Sequence, residues 1–258
     1  MDEWPRVRDE LGANRAYAGP VAEAYDVWMP HDAPYHDDAY FRTAIEAGEG
    51  PALELACGTG RLLVRYAKAG LDVEGVDSAP DMLAACMRNA AREGASVTLH
   101  EADITTLALD RRYATIYNPA GSFALHDDRD VAFGALRRWA GHLAPGGRLY
   151  VTMGIPRDDL DAEYEWRIRR SATRPSDART FMVHEAVRCD VATQLQTIYN
   201  RLEVYDASGA LEQTWMRRAR LRWWERRELE EAFAASGLVD VRSDGGDDGF
   251  ITVGGAAT

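Results

Sequence analysis

Short apolar runs alternate with stretches of helical periodicity through the first half of the chain. Ala52, Leu53 and Leu55 read as a buried parallel strand. It runs into Gly58-Thr59-Gly60, where lacking a Cβ lets the backbone turn tightly and lets a ligand approach it. Leu62, Leu63, Tyr66 and Ala67 then share one side of a helix, and a second strand (Leu71, Val73, Val76) stops at Asp77. Ser78 reads as the N-cap of the next helix, with Pro80 in its first turn and Asp81 imitating a capping box. Met82, Leu83, Cys86, Met87 and Ala90 carry its periodicity. Val97 to Glu101 gives a third strand and Tyr113 to Asn118 a fourth. Val131 to Leu143 is an amphipathic helix with Ala132, Leu136, Trp139, Ala140 and Leu143 on one face. Pro145-Gly146-Gly147 stops it and turns the chain into a fifth strand, Arg148 to Met153.

Residues 157–223 break the alternation. Three period-2 runs, Phe181 to Val187, Gln196 to Val204 and Thr214 to Trp224, predict an antiparallel insertion of three or more strands, with Asp206-Ala207-Ser208-Gly209 as a turn. In its last strand Trp215, Ala219, Leu221 and Trp223 face one way, and Arg218, Arg220 and Arg222 the other. A final helix, Glu225 to Ser236, and two strands, Leu238 to Arg242 and Gly249 to Gly254, close the pattern. At the other end, residues 1–22 read as a loose arm or short helix. Val21 to Phe41 interleaves Tyr25, Trp28, His31, Tyr35, His36 and Tyr40 with acids, and Pro30 and Pro34 interrupt any long helix there. The fold class is α/β, a doubly wound sheet with an antiparallel β insertion on its carboxyl edge. Four regions follow: an N-terminal helical lid (1–48), a nucleoside-binding core (49–156), the insertion (157–223) and the end of the core (224–258).

Strand, glycine turn, helix, strand and acid is the layout of a nucleoside-binding βαβ unit, with Asp77 placed to accept ribose hydroxyls. The dinucleotide fingerprint G-x-G-x-x-G fails: its third glycine falls on Arg61 or on Leu63, depending on register. An acid followed by x-x-x-G-x-G fits from Glu54 to Gly60. Here the chain resembles the class I, Rossmann-like S-adenosylmethionine (SAM) methyltransferases. It departs from their first motif only at Ala56, where glycine is commoner and where alanine calls for a negative φ. The resemblance extends over Tyr25 to Met153, including Leu-Ala-Pro-Gly-Gly-Arg-Leu before the fifth strand, and over the last helix and strands more weakly.

The resemblance implies a seven-stranded sheet whose last strand is antiparallel, SAM as cofactor and S-adenosylhomocysteine as product. It places Glu54, Ala56, Gly58 and Gly60 at the cofactor and gives Asp77 the ribose. Ser78 and Met82 flank the adenine, Asp103 accepts its exocyclic amine, and the Ile104 backbone pairs with the ring. Asn118 closes the cofactor set at the end of the fourth strand. The N-terminal segment lids the pocket, and its aromatic faces suit a sulfonium cation. Tyr25 is the catalytic candidate there and Trp28 and Tyr35 are acceptor-binding candidates; the other reading has these rings docking the arm on the core.

Gly121-Ser122-Phe123-Ala124-Leu125-His126 looks like small-molecule methyltransferases, including sugar N-methyltransferases, which can carry a histidine just there. His126 is the candidate base toward an amine or hydroxyl, with Asp127 and Asp128 raising its pKa. A solvated loop histidine that caps the next helix is the plainer reading. Asn118-Pro119-Ala120 only partly imitates the Asn-Pro-Pro-Tyr motif, so that chemistry does not transfer.

The net charge of −12 argues against nucleic acid as a partner. The insertion holds 12 Arg against 11 acids, so the acidic excess lies outside it, and Arg218 and Arg220 become candidates to hold a carboxylate or phosphate of the acceptor. A solvated or subunit-facing surface, with a homodimer as the assembly, is the alternative for that face. Cys57, Cys86 and Cys189 have no metal-ligand spacing and suit a reducing, cytoplasmic compartment, and the chain shows no signal peptide and no apolar run of membrane-spanning length. No metal is expected. The expected function is methyl transfer from SAM to a small-molecule acceptor, an amine nitrogen ahead of a hydroxyl, with a non-catalytic SAM or nucleoside sensor as the rival.

Overall fold

Seven of the chain's strands meet in one sheet, and their order fixes where a ligand can sit. A computed structural model describes residues 17–30, 33 and 35–257. Most of the expected N-terminal arm, together with His31, Asp32 and Pro34, therefore lies outside the described residues. The strands are β1 (Ala52–Leu55), β2 (Val73–Asp77), β3 (Thr98–Glu101), β4 (Tyr113–Asn118), β5 (Leu143–Gly154), β10 (Val239–Gly245) and β11 (Gly249–Gly255), in the order β10-β11-β5-β4-β1-β2-β3. β1 to β5 pair in parallel, whereas β11 runs antiparallel to both β5 and β10. This is the doubly wound seven-stranded sheet with an antiparallel last strand. The order reverses between β1 and β4, and the crevice outside their carboxyl ends is where such sheets bind ligands.

Helices cover both faces because each carries one apolar stripe. On one face α2 (Asp38–Gly48), α3 (Leu63–Lys68) and α4 (Pro80–Glu93) bury Phe41, Tyr66, Leu63 and Cys86. On the other, α5 (Arg129–Gly141) and α6 (Arg226–Ala235) bury Trp139, Leu136 and Phe233. α5 is capped by Asp128, whose Oδ1 accepts from the amides of Asp130 and Val131, and α6 by the reciprocal capping box of Glu225 and Glu228. Ser78 does not cap α4. Its N-cap is Ala79, and the Ala79 amide donates instead to the Asp77 carboxylate at 2.9 Å. Asp81, expected in a capping box, accepts from the Gly19 amide at 2.7 Å. Pro145-Gly146-Gly147 is not a plain turn but an irregularity inside β5, and a Cβ on Gly147 would stand 2.8 Å from the Tyr113 carbonyl.

The insertion forms a second, four-stranded antiparallel sheet of β6 (Arg167–Thr173), β7 (Thr180–Asp190), β8 (Leu195–Tyr205) and β9 (Leu211–Arg222), in sequential order. β6 is almost wholly exposed, and its arginines hide the alternation by which strands are read. A helix ahead of the core, α1 (Pro20–Trp28), ties the two sheets together. Its Val21 and Ala24 bury against Phe181, Val183, Leu202 and Val204 of the second sheet, and its Ala22 against Ala79 and Met82 of the first unit. Glu23 adds ion pairs to Arg174 (3.0 Å) and Arg179 (3.5 Å). No described helix is long and apolar enough to cross a membrane.

The turn after β1 has no spare room. Gly60 has φ +86°, and a Cβ there would lie 2.5 Å from Cys86 Sγ and 2.7 Å from Val64 Cγ2. Gly60→Ala is expected to destabilise the chain by about 2–4 kcal/mol, the sum of a left-handed alanine and an overpacked core. Urea denaturation checks this; an unchanged midpoint would contradict the geometry.

Candidate active site

A cavity of about 530 Å³ opens at the carboxyl ends of β1, β2 and β4, roofed by α1 and by the inner face of the second sheet. Its floor is the turn after β1. Ala56, Gly58 and Gly60 all have positive φ, +56°, +56° and +86°. The expectation of a negative φ at Ala56 is therefore wrong. Alanine stands there in the left-handed region, at a cost of about 1–2 kcal/mol that neighbouring contacts offset. The Gly58 amide donates to Asp77 Oδ2 at 2.9 Å, so the acid ending β2 holds two loops at once through its two oxygens. A Cβ at Gly58 would meet nothing within 4 Å, which leaves that backbone open to a ligand. Burial raises the Asp77 pKa, and the amides of Ala79, Gly58 and Ser78 pull the other way.

Glu54 lies on the same wall, 2 % exposed, with Tyr117 donating to its Oε2 at 2.9 Å. Burial pushes its carboxyl up to about 8, against the Tyr117 hydrogen bond and the charge of Arg61. Arg61 is already committed. Its two Nη groups donate to the two oxygens of Asp37 at 2.7 Å each, and its guanidinium lies 4.5 Å from the centre of the Tyr35 ring. Burial alone would raise Asp37; the Arg61 hydrogen bonds win and hold it below the usual range.

Ser78, Met82, Asp103 and Ile104 also line the cavity. Asp103 is set by its own turn, its Oδ1 accepting from the Thr105 amide (2.8 Å) and hydroxyl (2.7 Å). The Ile104 carbonyl is taken by the Trp139 indole at 2.8 Å. Asn118 is not on the wall. It is fully buried, donates to the Leu55 carbonyl at 3.1 Å and so joins β4 to β1 from behind.

The far half of the cavity carries the candidate chemistry. His126 lines it at the end of a short 3-10 turn, Ser122–Leu125, with the Phe123 and Trp139 rings 6.0 and 6.5 Å away. Its Nε2 is buried and meets no hydrogen-bond partner among the described residues. Burial lowers its pKa, and Asp103 and Asp127 offset this only in part. Of the expected rise, the Asp127 contribution is present but outweighed by burial, and Asp128 caps α5 instead. Tyr25 lines the cavity beside Tyr17 (rings 5.9 Å apart), and burial raises its phenol far above the ordinary value, so it stays protonated and is not a base.

Trp28 and Tyr35 are not on the cavity wall. Trp28 packs α1 against the second sheet, and Tyr35 props Arg61 while donating to the Pro30 carbonyl at 2.8 Å. Arg218 and Arg220 are on the wrong face: from β9 it is Arg217, Ala219 and Leu221 that reach the cavity. The alternation in the sequence already grouped Arg217 with the apolar face, and that parity was the available signal. Ala120, at φ +57°, and Gly121 shape the wall after β4. Among the described residues no group of three or more His, Cys, Asp or Glu is placed to hold a metal ion.

Comparison with known proteins agrees with this geometry. Residues 52–147 match the family model described as a methyltransferase domain. The dTDP-3-amino-3,6-dideoxy-alpha-D-glucopyranose N,N-dimethyltransferase of Streptomyces fradiae is 32% identical over 148 residues, 54% of this chain and 55% of that enzyme. The chain thus matches little more than half the length of this curated relative. Among solved structures, an S-adenosylmethionine-dependent methyltransferase of Clostridium acetobutylicum superposes with a TM-score of 0.73 at 15% identity, over 93% of this chain and 98% of that one. A sugar N-methyltransferase of a Streptoalloteichus species gives 0.71 at 22% identity, over 96% and 98%. At those identities the two structures speak to the fold alone. Residues 52–147 match a methyltransferase domain, and the chain built around them has the fold of the class I, Rossmann-like methyltransferases.

Proposed function

We propose that the chain transfers a methyl group from SAM to an amine nitrogen of a small molecule, an amino sugar being the acceptor class the Streptomyces relative suggests. The observation that carries this is His126, an imidazole whose pKa burial lowers, on the wall of the same cavity as the glycine turn. The cavity residues fit the cofactor. The open backbone at Gly58 and the Asp77 carboxylate suit its nucleoside, and Glu54 sits where a cationic group would draw off its proton. When bound, SAM supplies an activated methyl on a sulfonium.

The chain's own residues do the rest. Tyr25, Met82 and Leu221 wall the cavity and exclude water. Orientation within such walls is worth up to about 7–11 kcal/mol. His126 takes the proton that an ammonium acceptor must shed before its nitrogen can attack, adding roughly 10²–10⁴. A histidine held neutral and weakly basic suits that proton far better than it suits a hydroxyl, whose proton needs a much stronger base. The reading divides the chain into a cofactor-binding core, an N-terminal lid and an acceptor subdomain at 157–223. Three free cysteines fit a cytoplasmic setting.

Turnover with a 3-amino-3,6-dideoxy sugar nucleotide tests this. We expect methylamine product, a His126→Ala variant slower in kcat by about 10²-fold with KM for SAM little changed, and no product from the 3-hydroxy analogue. Unchanged kcat in His126→Ala would remove the histidine as base.

Glu54 gives an independent readout. Unfolded, it loses its proton near the ordinary value of about 4.3; folded, it keeps that proton up to about 8. Between these the folded state holds one proton more, so stability falls as pH rises through the window. Denaturation at about pH 5 and about pH 8 should show a steeper loss for the parent chain than for Glu54→Gln. Parallel pH profiles would contradict the buried acid. Binding of a cation beside Glu54 should release a proton near neutral pH, visible as a buffer-dependent heat.

A further inference from the structure

The inner face of the second sheet is apolar toward both ends of its strands. Phe181, Val183, Leu202 and Val204 bury against α1 at one end, and Val187, Ile198, Ala219 and Leu221 occupy the other. Between them one cross-strand row is polar. Glu185 on β7, Asn200 on β8 and Arg217 on β9 stand in register. Asn200 Nδ2 donates to Glu185 Oε2 at 3.4 Å, and Arg217 Nε donates to Asn200 Oδ1 at 2.8 Å. Glu185 and Asn200 are buried. At the outer end of the row the charge is balanced, because Glu185 Oε1 lies 3.3 Å from Arg167 and 3.6 Å from Arg169.

The inner end is not balanced. Arg217 reaches the cavity, its Nη groups donate to no described residue, and its guanidinium lies 5.1 Å from the centre of the Tyr17 ring. The other arginine on the cavity wall, Arg61, is clasped by Asp37. A buried amide and carboxylate in an apolar face carry a desolvation cost, and well-packed apolar residues would serve the fold at least as well. What the row supplies that they could not is a fixed Nε, and hence a guanidinium aimed into the cavity with its fork unpaired by any described residue. The cofactor half of the same cavity is lined by the carboxylates of Asp77 and Asp103, which disfavour an anion there.

We propose that Arg217 determines acceptor specificity by binding an anionic group, a phosphate or a carboxylate, and that Asn200 and Glu185 are its positioning residues. The word acceptor rests on the methyltransferase reading; the anion site does not. A planar fork on a fixed stem matches either anion with two parallel N–H donors.

Calorimetric titration of the full chain, saturated with S-adenosylhomocysteine, tests this with phenyl phosphate, benzoate and benzyl alcohol as probes. At least one anion should bind about tenfold or more tightly than the alcohol, the yield of one charge-assisted pair. Phosphate alone, carboxylate alone or both binding names the source. Arg217→Met should weaken the anion by about tenfold or more, and Arg217→Lys by less, with S-adenosylhomocysteine affinity kept within about twofold. A double exchange, Glu185→Gln with Asn200→Asp, moves the row's carboxylate one strand closer to Arg217 at constant net charge. It should cost the same anion affinity, whereas a merely structural row would leave it unchanged. Equal anion affinity in parent and Arg217→Met, or no preference for either anion over the alcohol in the parent, overturns the proposal. A parent chain that fails to bind S-adenosylhomocysteine counts against the methyltransferase reading instead, and the anion titrations are then read on the chain alone.

Discussion

The carboxylate of Asp77 is the junction on which the site depends. One oxygen holds the Gly58 amide after β1 and the other holds the Ala79 amide that opens α4. Those are the loops after β1 and β2, on one side of the crevice where the strand order reverses, so a single side chain fixes the spacing within that wall. The backbone on either side is unrelaxed, with Ala56 after β1 and Ala120 after β4 both in the left-handed region. Such conformations persist only where surrounding contacts over-determine them. Here the Asp77 bridge, the bond from the Cys57 amide to the Val76 carbonyl and the tight fit around Gly60 do so. α1 then closes the space by burying one face on each unit, so both halves of the cavity share a roof.

Within that space the charges are arranged by burial rather than by number. Glu54 and His126 are both held neutral, one with its pKa raised and the other with its pKa lowered, by the same loss of water. Arg61 is neutralised by Asp37, which leaves Arg217 as the cation of the opposite half that no described carboxylate pairs. Under the proposed function, Glu54 would lie toward the cationic donor and His126 would take the acceptor's proton, and the proposed anion would have one place to go.

Much of this was legible in the sequence because it is local. Glu54 to Gly60, the strand end at Asp77 and the order of strands and helices follow from spacing and periodicity. The failures share a cause: each depended on which of two neighbours a group would choose. Ser78 reads as an N-cap, but the helix begins one residue later, at Ala79, whose amide Asp77 holds. Trp28 and Tyr35 had faces fit for a cation and spent them on the second sheet and on Arg61. Period-2 alternation divides β9 into two faces without telling which meets the cavity, and the arginine that reaches it, Arg217, is the one grouped with apolar neighbours. β6 lies at the edge of its sheet and is exposed, so nothing required it to alternate.

The most direct test of the account is calorimetric titration of the purified chain with S-adenosylhomocysteine, beside an Asp77→Ala variant whose melting curve shows it folded. The account predicts saturable binding at one site per chain, weakened by about tenfold or more in the variant. No saturable heat in the parent across several buffers and temperatures, or equal affinity in both proteins, would contradict it.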